Sequence, residues 1–141
     1  MSFSSVEKSR LKSQYGPWAV VTGASSGIGK EIAERLGEAG LNLILSARRV
    51  SLLQTLAEKV ASQYGVEVKI VEADLSNMVG LEAVKFASLS EDIGLFVGAA
   101  GYGTSGEFIH APLGAELNML HLNCGAVIAQ THDFANRFVE R

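Results

Sequence analysis

Several features that mark other classes of protein are scarce in this sequence. A single cysteine, Cys124, among 141 residues excludes an internal disulfide and fits a reducing compartment. Twelve lysines and arginines against fifteen acids give a formal net charge of -3, without the basic excess of nucleic-acid-binding proteins. Residues 1–16 have no apolar stretch of secretory-signal length, and no other run is long and apolar enough to span a membrane. We therefore expect a cytoplasmic protein that binds neither nucleic acid nor membranes.

Histidine and proline are also rare, whereas glycine is abundant. His110, His121 and His132 recur at a spacing that on a helix is about 16 Å, too far for two ligands of one metal ion. We therefore expect no metal site. Fifteen glycines against two prolines indicate close backbone approaches rather than stiff loops. Hydrophobic residues make up 48% of the chain, which is enough for the core of one domain.

Short apolar runs alternate with segments of helical periodicity from residue 17 onward. The predicted strands are Trp18–Thr22, Leu41–Ala47, Val66–Ala73 and Ile93–Ala100. The predicted helices are Ile28–Ala39, Val50–Tyr64, Asn77–Ser88 and Leu113–Arg141, the last with a kink near Gly125. This alternation predicts an α/β domain over residues 17–141, a doubly wound parallel sheet with the first strand central and the fourth beside it. Residues 1–16 are expected to be an extension that lies on the surface or is disordered.

Some side chains have local interpretations. Ser51 and Gln54 have the spacing of a capping box at the start of the second predicted helix. Cys124 is expected to be a small core or interface residue. The charged residues of the first predicted helix are expected to form a solvated face: Glu31, Glu34, Arg35 and Glu38.

The most informative segment is the turn between the first strand and the first helix, Thr22-Gly23-Ala24-Ser25-Ser26-Gly27-Ile28-Gly29. Glycines bring backbone N–H groups close to an anion, and the following helix directs its positive end toward the same point. The turn therefore predicts a phosphate-bearing ligand. A P-loop does not fit, because the spacing differs and Glu31 stands in place of the magnesium-binding hydroxyl. The spacing GxGxxG does not fit either.

The pattern TGxxxGxG resembles the cofactor turn of the short-chain dehydrogenase/reductase family, which binds NAD or NADP on a Rossmann fold. Three further segments match the family in order. Asp74, followed by Leu75, matches the aspartate that holds the adenine amino group, and Asn123 matches the asparagine of the catalytic tetrad. Residues 97–101 lie where the family has Asn-Asn-Ala-Gly, without the two asparagine side chains. The resemblance implies a Rossmann-like sheet with these cofactor-binding residues: Gly23, Ser25, Ser26, Gly27, Ile28, Gly29, Arg48, Asp74, Leu75, Gly98, Ala99 and Gly101.

The end of the second strand indicates which dinucleotide binds. NAD enzymes place an acid there for the ribose hydroxyls, whereas this sequence has Ala47, Arg48 and Arg49. Because a guanidinium suits a 2′-phosphate, we expect NADP rather than NAD, with Arg48 on that phosphate and Ser25 and Ser26 adding hydroxyl donors. Arg49 is expected to be solvated at the helix start. The missing acid also counts against a methyltransferase domain.

Most of the family's catalytic residues have no counterpart here. The family uses a tyrosine with a lysine four residues later, a serine and an asparagine, but no tyrosine of this sequence has such a lysine. Of that tetrad only Asn123 is present. We therefore expect a portion of an NADP(H)-dependent oxidoreductase, truncated after the fourth strand and the long helix and inactive alone, that would act on a carbonyl or alcohol. The alternatives are a non-catalytic dinucleotide-binding regulator and a fragment that does not retain the cofactor site.

The fourth strand and the long helix are expected to be exposed. Leu95, Phe96 and Val97 would form an uncharged sheet edge, which is a template for pairing with another chain. The long helix would expose an apolar face. We therefore expect a homo-oligomer formed through the helix or the strand edge, besides the small-molecule substrate.

Overall fold

The computed structural model describes residues 2–141. Four parallel strands form one sheet in the order β3-β2-β1-β4, namely β1 (Trp18–Thr22), β2 (Asn42–Ala47), β3 (Val68–Glu72) and β4 (Ile93–Gly98). The helices are α1 (Ser5–Tyr15), α2 (Gly27–Glu38), α3 (Val50–Tyr64), α4 (Met78–Ser88), α5 (Leu113–Leu120) and α6 (Ala126–Glu140), and a short 3₁₀ turn covers Phe108–His110. The predicted α/β, doubly wound parallel sheet with its first strand central is confirmed.

Helices cover both faces of the sheet because successive strand residues point to opposite sides. On one face Ala19 and Val21 of β1 pack in a buried cluster with residues of α2 and α3 such as Ala33 and Leu53. On the other face Trp18 and Val20 pack in a second cluster with residues of α4 and α6: Val84, Ala126 and Phe134. All five residues of β1 are buried, as a central parallel strand requires.

The first residues are helical rather than disordered. Residues 5–15 form a helix with no buried residue, which agrees with the surface position that was one of the two expectations, and Ser4 and Glu7 form its capping box. The Ser4 hydroxyl accepts a hydrogen bond from the Glu7 amide, and the Glu7 carboxylate accepts one from the Ser4 amide. The capping box predicted at Ser51 is wrong, because α3 already begins at Val50, as its predicted range has it, and Arg49 is its N-cap residue.

Glu38 is not part of a solvated face, contrary to the prediction. Only 5% of its side chain is exposed, and its carboxylate accepts hydrogen bonds from the Ser2 hydroxyl and the Phe3 amide and contacts Lys8 and Arg35. The Ser2 hydroxyl makes the largest contribution, and these donors together hold the pKa of Glu38 at about 2 although burial acts to raise it. The carboxylate therefore joins the start of the chain to the end of α2.

The predicted long helix is interrupted where a kink was expected. A π-helical turn, His121–Gly125, lies between α5 and α6. Cys124 is exposed in this turn, which excludes the core position and leaves the interface position as the prediction. Such turns occur frequently at functional sites.

Strand β4 lies at one edge of the sheet, as predicted. Among the described residues it pairs with β1 alone. Leu95, Phe96 and Val97 are half-buried rather than fully exposed, and the Phe96 ring stacks on Phe134 of α6 with centroids 4.5 Å apart. Over residues 2–141, each helix is too short or too polar to cross a bilayer.

The environment of Glu38 predicts a pH-dependent contribution to stability. Because the folded pKa of about 2 lies below the ordinary value of 4.5, the ionised carboxylate stabilises the fold fully above about pH 5. This contribution is lost as the pH falls from about 4.5 toward 2. Glu38→Gln is therefore expected to lower the free energy of unfolding at pH 7, and its difference from the wild type is expected to shrink in acid. Urea unfolding at a series of pH values measures both quantities.

The matched control is Glu58→Gln, which removes an exposed carboxylate from α3. This variant should unfold like the wild type at every pH. A Glu38→Gln variant as stable as the wild type at pH 7 would contradict the stabilising role of the carboxylate.

Candidate dinucleotide site

A cavity with a volume of about 440 Å³ lies at the carboxyl ends of the parallel strands. In doubly wound sheets, ligands bind outside this edge, where strand order reverses on either side of β1. The wall comes from four segments that follow the four strands: Gly23, Ser25, Ser26, Gly27 and Ile28 after β1; Ala47, Arg48 and Arg49 at β2; Ala73, Asp74 and Leu75 after β3; and Ala99, Ala100, Gly101 and Tyr102 after β4, together with Leu122.

The turn after β1 passes so close to the end of β4 that only glycine fits at position 23. Gly23 has φ +68°, and a Cβ atom there would lie 2.5 Å from the Ala99 carbonyl oxygen. A Cβ atom on Gly29 would in turn lie 2.5 Å from the carbonyl oxygen of Gly23. Gly27 also has a positive φ, +58°, but a Cβ there would contact nothing within 4 Å. Gly23 and Gly29 are therefore needed for packing, and Gly27 leaves space on the cavity wall.

Helix α2 starts at this turn and directs its amino end into the cavity region. Its N-cap residue, Ser26, makes no side-chain capping bond to the helix. The first amides of a helix lack intrahelical acceptors, and the helix dipole adds partial positive charge at the same end. Gly27 and Ile28 lie in this first turn and line the cavity. The arrangement fits a phosphate or pyrophosphate group.

Both arginines at the end of β2 line the cavity. Arg49 donates hydrogen bonds from Nη2 to the hydroxyls of Ser25 and Ser26, at 3.0 and 2.8 Å. Arg49 is exposed at the start of α3, as predicted, and the two hydroxyls in addition serve as acceptors for it. Arg48 is exposed on the same wall. Two guanidinium groups thus lie beside the turn after β1. Position 47 is an alanine and not an acidic residue.

Asp74 is placed for a different kind of contact. Its Oδ1 atom accepts hydrogen bonds from the amide and the hydroxyl of Ser76, at 3.0 and 2.8 Å. These two bonds lower the pKa of Asp74, with a smaller contribution from the charge of Arg48. Helix α4 approaches closely here, because a Cβ on Gly80 would lie 2.0 Å from the Asp74 carbonyl oxygen. The carboxylate is therefore ionised and held in position, with Oδ2 left to accept from a ligand.

Asn123 is exposed and does not line the cavity, and its side chain holds the loop after β4. Its Oδ1 atom accepts from the Tyr102 amide at 3.1 Å, and its Nδ2 donates to the Tyr102 carbonyl oxygen at 2.7 Å. The Tyr102 hydroxyl in turn accepts from Asn118 Nδ2 at 2.9 Å. The residues that line the cavity here are Tyr102 and Leu122. Among the described residues, Asn123 therefore positions Tyr102 and makes no contact with a group that transfers protons.

The structure brings together most of the predicted cofactor-binding residues. Three predicted site residues do not line the cavity, since Gly29 packs under the turn, Gly98 lies against the Phe96 ring, and Asn123 bonds to Tyr102. Among the residues that sequence reasoning missed is Leu122, although its place beside Asn123 was a signal. Within residues 2–141, no three histidine, cysteine, aspartate or glutamate side chains are grouped as metal ligands would be.

Known proteins with a similar sequence are dehydrogenases or are named after them. The chain is 30% identical over 128 residues to a 7beta-hydroxysteroid dehydrogenase of Collinsella aerofaciens. The aligned region covers 91% of this chain and 49% of that protein. It is 44% identical over 94 residues to the protein of Homo sapiens named inactive hydroxysteroid dehydrogenase-like protein 1, covering 64% of this chain and 28% of that one.

A solved structure shares the fold. It is a short-chain dehydrogenase from Sphingobium yanoikuyae in complex with NADPH, 34% identical, with a TM-score of 0.84 over 89% of this chain and 49% of that one. The chain thus spans about half of the relatives' length, or less. A family model described as short chain dehydrogenase matches residues 17–141. The chain accordingly belongs to the short-chain dehydrogenase family.

Proposed function

We propose that this chain binds NADP(H) and forms the cofactor-binding part of an oxidoreductase that acts on a carbonyl or alcohol. The observation that carries the proposal is the glycine turn at the amino end of α2 with Arg48 and Arg49 beside it. Anion-binding amides and two guanidinium groups on one wall suit a ligand with phosphates in two places. The NADPH complex of the Sphingobium yanoikuyae relative supports the same cofactor.

Each part of the dinucleotide has a suitable group in the cavity. The amides of residues 27 and 28 would bind the pyrophosphate, and the arginines would bind the 2′-phosphate. The ionised Asp74 carboxylate would accept the adenine amino group, as the family resemblance implies. When bound, the nicotinamide supplies or accepts a hydride. The protein's own contribution is to hold the dinucleotide and, through Asn123, to fix Tyr102 on the cavity wall.

A non-catalytic, dinucleotide-binding role is the second candidate. A phenol transfers protons near neutrality only when a cation lowers its pKa from about 10. The Tyr102 hydroxyl instead contacts the amide of Asn118 and the carbonyl of Ala115, which are both neutral. The relative from Homo sapiens is itself named inactive. Turnover by this chain in a stopped-flow assay of NADPH oxidation with a ketone panel would contradict the non-catalytic role, whereas the absence of turnover agrees with both candidates.

The two arginines provide a test of cofactor choice. Arg49→Ala is expected to weaken NADPH binding by about 10- to 100-fold, because a charge-assisted hydrogen bond to the 2′-phosphate is lost. NADH lacks that phosphate, so its affinity should change by less than about threefold. Arg48→Ala should behave in the same way. Isothermal titration calorimetry measures all these dissociation constants.

The control for charge alone is Arg10→Ala, which removes an exposed arginine from α1. It should leave the affinity for both nucleotides unchanged. Equal losses of NADPH and NADH affinity in the Arg49 variant would rule out a 2′-phosphate contact.

The glycine turn provides a second test. Gly27→Ala adds a methyl group to the cavity wall at a residue with φ +58°, where nothing else lies within 4 Å. We expect about 1–2 kcal/mol of lost stability from the left-handed backbone and at least about a tenfold loss of NADPH affinity from the blocked amides. Thermal unfolding and calorimetric titration separate the two effects.

Gly65→Ala is the matched control for the turn. Gly65 ends α3 with φ +67° and also has open space around the Cβ position, but it lies outside the cavity. This variant should lose similar stability while NADPH affinity stays unchanged. If both variants bound NADPH like the wild type, the turn would not be the phosphate site.

We further propose that the chain associates with a second copy through α6 or the edge of β4. Ile128 on α6 is 69% exposed, and β4 has no charged residue. Ile128→Lys is expected to shift the oligomer toward monomer in sedimentation-velocity experiments. Val6 on α1 is about as exposed as Ile128, and Val6→Lys should not change the oligomeric state. An oligomer that survives Ile128→Lys would indicate the β4 edge, and a monomeric wild type would contradict both contacts.

A further inference from the structure

The charged residues of the dinucleotide site all lie on one side of β1. Because the sheet order is β3-β2-β1-β4, the segments after β2 and β3 lie on one side of β1 and the segment after β4 lies on the other. The charged residues that line the cavity are Arg48 and Arg49 after β2 and Asp74 after β3. The bonds from Ser76 and, to a smaller extent, the charge of Arg48 lower the pKa of Asp74, so the two charged groups lie near each other. One side of the cavity therefore has two cations and an anion.

The side of the cavity after β4 has no charged lining residue in the part of the chain that the structure describes. Its wall consists of Ala99, Ala100, Gly101, Tyr102 and Leu122. The polar groups of Tyr102 already have partners within the protein. Asn123 bonds to the backbone N–H and the backbone carbonyl of Tyr102, and the phenol hydroxyl contacts the neutral groups of Asn118 and Ala115. This wall therefore presents to a ligand small residues, a leucine and a tyrosine whose polar groups are already bonded.

A dinucleotide in this cavity would extend across both sides of β1. Doubly wound sheets bind dinucleotides across the point where the strand order reverses, with one nucleotide on each side. The contacts proposed above place the adenine and the 2′-phosphate beside the charged residues after β2 and β3. The nicotinamide is then left with the wall after β4. Its ring is positively charged when oxidised and neutral when reduced, and this wall has no charged side chain that would distinguish the two forms.

The charged side also has the stronger kind of contact. Hydrogen bonds to an ionised group are roughly twice as strong as those between neutral groups. Arg48, Arg49 and Asp74 can make such bonds with phosphate oxygens and the adenine amino group, whereas the lining residues after β4 offer neutral contacts only. The affinity for a dinucleotide should therefore depend on its adenosine half.

We propose that this chain recognises the adenosine 2′-phosphate and the pyrophosphate of its ligand and does not recognise the nicotinamide. The ligand class is then every adenosine 2′-phosphate 5′-diphosphate compound, with or without a nicotinamide. The inference rests on the proposed function, since it takes the cavity as the NADP(H) site. In the non-catalytic role, the chain would respond to the total concentration of oxidised and reduced NADP and not to their ratio.

The test compares three ligands by isothermal titration calorimetry at one salt concentration. They are NADPH, NADP⁺ and 2′-phospho-ADP-ribose, which has the adenosine 2′-phosphate and the pyrophosphate but no nicotinamide. We expect the three dissociation constants to agree within about threefold, because the charge-assisted contacts are common to all three ligands.

Asp74→Asn tests whether the adenosine half carries the affinity. The substitution keeps the shape of the side chain and removes its charge, so all three ligands should bind more weakly by the same factor, about 3- to 10-fold. The matched control is Glu72→Gln, which removes an exposed carboxylate of β3 that does not line the cavity. This variant should bind all three ligands like the wild type.

The outcomes separate this inference from the proposed function. A preference of more than about tenfold for either dinucleotide over 2′-phospho-ADP-ribose, or between NADPH and NADP⁺, would show that the nicotinamide is recognised. That result would overturn the inference and leave cofactor binding intact. Unchanged affinities in the Asp74→Asn variant would also overturn it, because the adenine contact would be absent. If none of the three ligands bound, the proposed function itself would fail, and the inference with it.

Discussion

The close approach between the turn after β1 and the end of β4 determines the geometry of the dinucleotide site. The Ala99 carbonyl oxygen lies where a side chain at position 23 would begin, so a Cβ at that position would force the two segments apart. The same packing continues beneath the turn, where Gly29 contacts the carbonyl of Gly23. Helix α2 can therefore start directly at the sheet edge. As a result its amino end and the arginines after β2 face one cavity.

The parts of the fold that follow from local periodicity could be predicted from the sequence. The strands, the range of α3 and the strand order all follow from short-range patterns and the rules of parallel sheets. Contacts between distant residues could not be predicted in this way. Residues 2 and 3 donate hydrogen bonds to the Glu38 carboxylate, and Arg49 donates hydrogen bonds to the hydroxyls of residues 25 and 26. No residue spacing along the chain predicts either contact.

In the site, too, the sequence pattern predicts which residues are present but not the contacts that packing creates between them. The glycine pattern picked out the turn after β1, and the family resemblance picked out Asp74, and both line the cavity. The sequence pattern could not show that Asn123 bonds to both the backbone N–H and the backbone carbonyl of Tyr102. Asn123 lies in the π-helical turn at His121–Gly125, and a helix pattern in the sequence does not reveal where such a turn occurs.

Binding and chemistry are separable in this chain for a physical reason. The groups that suit a dinucleotide are backbone amides, two arginines and an ionised aspartate, and the sheet and α2 hold them near one edge. Proton transfer near neutrality needs an acid–base group matched to that pH, and a tyrosine requires a neighbouring cation for this role. Among the described residues the tyrosine on the cavity wall has neutral neighbours. In the proposed function this wall would therefore hold a reduced dinucleotide without supplying the proton that reduction of a carbonyl consumes.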